Sequence, residues 1–288
     1  MVDDEAQRRK GLTFEQAEGI DPLPSQLKRT EVSAELRAVL WNYIHGRLQA
    51  TANRETYYYV GKPWKEVLKN VHVFRDHLPV DEFSTRLNDA SETVKRVFTA
   101  GNYAKIYGWL QFVIEQKPTQ EFAKTIDNIL RYCRSPYRVI DGEVICPVGS
   151  DTDAETITKA FVELKAAGLA GSKEHLKSAV AELTAGNFAD SVRESIHAVE
   201  SAVRVLEPSG DFSKALSKLE QKTNIHGALK KGFLALYGFS SDEQGIRHPL
   251  LEKAAPAVDE ADAMFMIGAC SAFLSYLVNK SRAAGLLA

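Results

Sequence analysis

Apolar residues recur at every third or fourth position along nearly all of this chain, and that pattern gives way in one place. A period of 3.6 gathers apolar side chains on one stripe of an α-helix, so the chain must be mainly helical, with stripe packed against stripe. Leu36, Leu40, Trp41, Ile44 and Leu48 predict a helix that starts near Ser33, a residue suited to cap it. Pro63 fits the first turn of a helix through Trp64, Val67, Leu68 and Val71. Helices are predicted over Pro79 to Ala100 (with Phe83, Leu87, Val94 and Val97 apolar), Asn102 to Gln116 and Glu121 to Tyr132. Before them, Lys10 to Pro24 reads as an irregular lead-in with at most one short helix, at Thr13–Glu18.

The break lies at Tyr137 to Cys146, two short β-type runs around Asp141-Gly142, which predict a hairpin with a two-residue turn. Pro147 to Asp153 is rich in turn formers and reads as a linker, so the domains are set at 1–150 and 151–288. Helical periodicity then resumes. Helices are expected over Ala154 to Ala167, Ser172 to Ala185 (capped by Ser172) and Asn187 to Leu206. A further helix over Phe212 to Tyr237 is interrupted near Asn224–Gly227. A loop over Gly238 to Leu251 and a last helix over Asp259 to Arg282 complete the half. The fold class is mainly α: an N-terminal helical domain with a small β-hairpin, then a C-terminal helical bundle.

The 288 residues, 44% hydrophobic and 26% charged, supply enough apolar material for two cores. A net charge of −2 offers no global attraction to phosphate, so any nucleic-acid contact must come from a local cluster of Lys and Arg. Cys133, Cys146 and Cys270 form no C-x-x-C pair, which argues against a zinc ribbon or a disulfide framework and predicts buried thiols in a reducing compartment. Met1 to Lys10 is charged and lacks an apolar run, so no secretory signal is expected. The apolar run Ala263 to Val278 covers 16 positions and is shorter than the roughly 20 of a membrane span. It reads as a core helix. The expected location is cytoplasmic, with no membrane contact.

Two places carry chemistry. On the helix Asn187 to Leu206, Val192, Ile196, Val199 and Val203 make a core stripe. Beside it run Arg193, His197, Glu200 and Arg204, which put Arg193 and His197 one turn apart, able to touch one ligand or each other. The alternative is an ordinary solvated face. The second place is Ser241-Asp-Glu-Gln-Gly-Ile-Arg-His-Pro249, where Gly245 and Pro249 frame Arg247 and His248. Histidine transfers protons near neutral pH and arginine holds phosphate in a bidentate grip, a set of groups suited to RNA cleavage by the neighbouring 2′-hydroxyl without metal or cofactor. The alternative there is a structural helix start. Tyr57-Tyr-Tyr59 ahead of Lys62 and Lys65 could stack single-stranded RNA, or be a packed loop. His45 and His72 read as surface or core-edge residues rather than metal ligands. Phosphate loops, H-E-x-x-H and G-x-S-x-G are absent, which leaves a small-molecule enzyme without a motif.

KGLTFEQAEGIDPLP followed by the helix around Glu35-Leu-Arg-Ala-Val-Leu-Trp41 resembles the N-terminal domain of proteins related to the abortive-infection protein AbiJ. DEQGIRHPLLE with the late helix AMFMIGACSAFLSYL, and FADSVRESIHAVESAVRVL, resemble the HEPN four-helix bundle attached to that domain. The resemblance implies anti-phage defence, a homodimer, RNA as partner, and metal-independent endoribonuclease activity from an Arg and a His set a few residues apart near the last helix. Here Arg247 and His248 are adjacent, while Arg193 and His197 have three residues between them on another helix. The site residues expected are therefore Arg247, His248, Arg193 and His197. A non-catalytic dimerisation or RNA- or nucleotide-binding module is the alternative.

Overall fold

The computed structural model describes residues 14–21, 25–52, 58–209, 211–242 and 258–287. In the N-terminal half, α1 (Phe14–Ala17) is a single turn, and α2 (Ala34–Thr51) starts where Ser33 accepts the backbone N–H of Leu36 at 3.1 Å. Leu36, Leu40, Ile44 and Leu48 are fully buried along its inner stripe. Next come α3 (Trp64–Asn70), which widens into a π-helical turn over Val71–Arg75, and α4 (Leu87–Ala100). They are followed by α5 (Tyr103–Glu115), capped by Asn102, and α6 (Phe122–Tyr132). Trp64, Phe98, Trp109 and Phe122 fill the space between these helices.

The helix expected over Pro79 to Ala100 is shorter than its apolar pattern. Val80–Glu82 forms one 3-10 turn, and the chain then runs extended beside residues 58–60. Val60 N–H donates to Thr85 O and Leu87 N–H donates to Tyr58 O, so backbone pairing replaces the helical bonds that Phe83 to Arg86 would have made.

The hairpin is present: β1 (Tyr137–Ile140) pairs antiparallel with β2 (Val144–Pro147). Its turn differs from the expected two-residue one. The register sets Ile140 opposite Val144, leaving three residues in the loop. Asp141 (φ 50°) and Gly142 (φ 70°) adopt the positive φ that a primed turn requires, and Glu143 is the added residue. Every residue of both strands is buried. A strand turns successive side chains to opposite faces, and this hairpin uses both. Tyr137, Val139 and Ile145 enter the N-terminal core, whereas Ile140, Val144 and Cys146 enter the C-terminal one.

In the C-terminal half, α7 (Asp151–Ala166), α8 (Ala170–Ala185), α9 (Phe188–Leu206) and α12 (Glu260–Ala283) pack around one apolar core. The helices α10 (Phe212–Thr223) and α11 (Gly227–Asp242) lie against this group, separated by Asn224 in the left-handed conformation, where the interruption was expected. Three ends differ from expectation. Helix α7 starts a turn early because Ser150 caps it. Ser172 is buried inside α8 rather than capping it. Helix α11 runs to Asp242, through the first residues of the expected loop. By length and composition α12 is apolar enough to cross a membrane, and half of its most apolar window is buried inside the protein. Its first turn is closed by a capping box between Asp259 and Asp262.

Polar pins join hairpin and bundle. Arg138, buried on β1, places Nε and Nη2 each 2.8 Å from Asp151 at the start of α7. Lys173 of α8 reaches Asp141 at 2.6 Å, Lys177 reaches Glu143 at 2.9 Å, and Thr184 donates to Ile145 O. The hydrogen bond from Lys177 holds the Glu143 carboxyl below its ordinary range, and the charges of Lys177, Lys173 and Lys117 add to it.

All three tryptophans, Trp41, Trp64 and Trp109, belong to the N-terminal half. Ile140→Ala, a change in the other core, should cost about 2–5 kcal/mol and shift the tryptophan-fluorescence unfolding midpoint together with the circular-dichroism midpoint. An unmoved fluorescence midpoint would mean that the halves unfold independently. A lowered carboxyl pKa contributes stability above the unfolded value, about 4.3, and loses it as pH falls through the folded value. The stability difference between wild type and Lys177→Ala, read from their melting temperatures, should therefore be present at neutral pH and vanish on acidification, and should be at most about 1 kcal/mol for so exposed a pair.

Candidate functional site

Helices α8 and α9 are joined by Gly186 and Asn187 alone, with Gly186 (φ 84°) in the left-handed conformation that closes α8. So short a connection folds the two helices back as antiparallel neighbours. Small residues bring them close. A Cβ on Gly171 would lie 2.8 Å from Ser201 Oγ, and Ser191 Oγ donates to Ala179 O at 2.8 Å. Midway between those contacts, His175 of α8 faces Glu194 and His197 of α9.

Glu194 is the centre of the cluster. His175 Nδ1 and Glu194 Oε2 are 2.8 Å apart, and His197 Nδ1 lies 3.5 Å from Oε1. The two imidazoles meet edge to face with centroids 5.4 Å apart. Arg193 Nε lies 3.8 Å from Glu194 Oε1, while its Nη1 bonds Asp190 at 2.6 Å. Glu194 is the most buried member, with 19% of its side chain exposed against 41% for His175 and 32% for His197. The rings thus form the mouth of the cluster and the carboxylate its floor. Two imidazoles on one carboxylate can pass protons, the adjacent guanidinium can neutralise a phosphate, and the three nitrogen and oxygen donors can converge on a cation.

Arg193 and His197 therefore do come together, and both are engaged by Glu194. Arg247 and His248 lie outside the described residues, as does Tyr57. Tyr58 and Tyr59 are exposed rather than packed, and line an open groove with Arg86, Asn88 and Asp89. His45 bonds Gln49 beside Trp41, and His72 bonds Pro79 O, both at the core edge as expected. The cysteines are free and buried. Burial pushes the Cys133 thiol up to about 11 and Cys146 up to about 12, and raises Cys270 too, so none is poised as a nucleophile. Sequence reasoning missed His175 and Glu194. Reading α8 and α9 as an antiparallel pair about Gly186 sets position 175 opposite 194–197 and would have found both.

Comparison with protein-family models matches AbiJ N-terminal domain 4 to residues 12–163, just over half of the chain. The match ends inside α7, before the α8–α9 cluster. No curated protein and no solved structure matches the chain.

If Glu194 holds both rings, Glu194→Ala should lower stability by about 1 kcal/mol and shift the ring proton resonances of both His175 and His197. A shift of one histidine alone would show that the rings are held separately.

Proposed function

Because this chain belongs to the AbiJ N-terminal domain 4 family, we propose that it acts in abortive-infection defence as a cytoplasmic, homodimeric endoribonuclease whose C-terminal half is a HEPN-like bundle that cleaves RNA without metal. The observation that carries this reading is the meeting of two imidazoles, a guanidinium and a carboxylate at the mouth of the α8–α9 pair. One imidazole takes the proton of a ribose 2′-hydroxyl. The resulting oxygen attacks the adjacent phosphorus, and the bond from phosphorus to the 5′-oxygen breaks. The other imidazole gives a proton to that leaving oxygen. The products are a 2′,3′-cyclic phosphate and a 5′-hydroxyl, and no further reagent is consumed.

Glu194, bonded to His175 Nδ1, would fix the tautomer that leaves Nε2 as the proton acceptor. His197 would supply the partner imidazole and Arg193 would neutralise the scissile phosphate. Arg247 and His248 enter as a second Arg–His pair able to take these roles, Arg247 on phosphate and His248 as acid or base. The exposed Tyr58 and Tyr59 near Arg86 offer flat faces on which single-stranded bases can stack, which supports RNA as the partner.

A non-catalytic, RNA- or nucleotide-binding or dimerising module is favoured by one contact, the 2.6 Å bond that ties Arg193 to Asp190 within its own helix. Incubation with labelled tRNA and single-stranded RNA in EDTA separates the two readings. Wild type should cleave, and His175→Ala and His197→Ala should each lose about 10²–10⁴-fold in rate, the usual worth of one general acid or base. Loss confined to Arg247→Ala/His248→Ala would move the chemistry to that pair. A folded wild type that binds RNA and leaves it intact would establish the module.

A further inference from the structure

We propose that His175, Glu194 and His197 form a binding site for one divalent transition-metal ion of the zinc type. The inference rests on their geometry alone and runs against the sequence expectation that no metal is bound. One ligand atom from each of the three lies within 4.8 Å of the other two. In a tetrahedral zinc site, with bonds of 2.0–2.2 Å, neighbouring ligand atoms are about 3.3 Å apart. The contacts of 2.8 and 3.5 Å that Glu194 makes to the two rings bracket that spacing. The two rings meet different oxygens of the carboxylate, Oε2 and Oε1, and a bound ion would draw both rings toward one of them.

The elements that carry these residues are well fixed. Glu194 and His197 stand three apart on α9, hence on one face of it. His175 comes from α8, which is anchored to the hairpin by Lys173 and Lys177 on either side of it. The contact between His175 Nδ1 and Glu194 Oε2 needs a proton between its two atoms, and a cation would take that proton's place and release it to solvent. The part-exposed rings leave room on the solvent side for water as a fourth ligand. Arg193 is the opposing charge, and Asp190 partly neutralises it.

Two imidazole nitrogens and a single carboxylate select zinc, nickel or copper over calcium or magnesium, which favour oxygen donors. An ion bound at Nδ1 would leave the ring's own proton on Nε2, which could then no longer accept the 2′-hydroxyl proton, so metal occupancy and cleavage at this cluster would exclude each other. Binding can be measured whether or not the protein cleaves RNA.

The test uses full-length, tag-free protein stripped with EDTA and dialysed. It is titrated with Co²⁺ under visible absorbance, and with Zn²⁺ in competition with a chromophoric chelator. Wild type should bind one equivalent and give the absorption bands of four-coordinate cobalt. Changes in outer-shell partners already weaken metal sites 10–100-fold, so His175→Ala, His197→Ala and Glu194→Gln should each weaken binding by more than about tenfold. His45→Ala should bind as wild type does. Circular dichroism confirms that each variant is folded, and Glu194→Gln, which preserves shape, decides the matter if an alanine variant is not. Wild type that takes up no stoichiometric metal overturns the proposal, as does uptake left unchanged in Glu194→Gln and the folded histidine variants.

Discussion

The hairpin at Tyr137–Ile140 and Val144–Pro147 is the element on which the rest depends, because it is buried on both faces. A strand that covers a single core leaves its other face to water. Here Val139 and Ile145 are committed to one core, and Ile140, Val144 and Cys146 to the other. Each half therefore completes its apolar interior with residues that also hold the other half in place. The turn contributes in the same way. Asp141 and Glu143 each take a lysine from α8, so the primed turn that positive φ makes possible also locates the helix that carries His175. Arg138 adds a buried cation that is fully occupied by Asp151 and by the carbonyls of Ser135 and Tyr137. A charge buried in this way is costly without partners, so its neighbours are fixed as firmly as those of an apolar contact.

Helix α8 then passes the constraint to α9. Small residues at the seam let the two helix backbones approach, and that approach brings side chains from separate helices within hydrogen-bonding reach. Ser195 illustrates the compromise. It lies buried in α9 and returns its hydroxyl to Ser191 O one turn back, satisfying itself locally while adding little bulk. A leucine in place of Ser191, whose hydroxyl donates to Ala179 O across the seam, would hold the helices apart, and His175 would lose Glu194. The polar cluster is thus a product of packing beneath it.

Much of this was legible in the sequence. The stripe from Leu36 to Leu48, the Ser33 cap, the Asn224 break and the Asp-Gly hairpin all follow from local rules, and each is found. What could not be read locally depends on partners distant in sequence. Phe83 to Arg86 continue a helical pattern, yet they pair with residues 58–60, and a tertiary strand contact overrides propensity. Ser172 looks like a cap because capping is a local signal, but α8 begins two residues earlier, at Ala170, and Ser172 is buried within it. The third residue of the hairpin turn, Glu143, bonds Lys177, 34 positions away, a contact that no local signal announces. The candidate site divides along the same line. Arg193 and His197 share a helix and were visible together, while His175 joins them only once the Gly186 turn is folded.

The matched segment, residues 12–163, extends past the hairpin and ends inside α7. Yet the inner face of α7, with Ala154, Ile157, Ala160, Phe161 and Leu164, belongs to the C-terminal core. Near its end, Glu163 also accepts a hydrogen bond from Asn279 of α12. A unit cut at residue 163 would therefore expose much of an apolar helix face, which within the unit meets only the hairpin residues of that core, Ile140, Val144 and Cys146. The matched segment carries, as part of its own fold, the hairpin face and the helix against which the remaining helices pack. Whatever chemistry the α8–α9 cluster performs is positioned from that surface, through two lysines, one buried arginine and the shared wall of the hairpin.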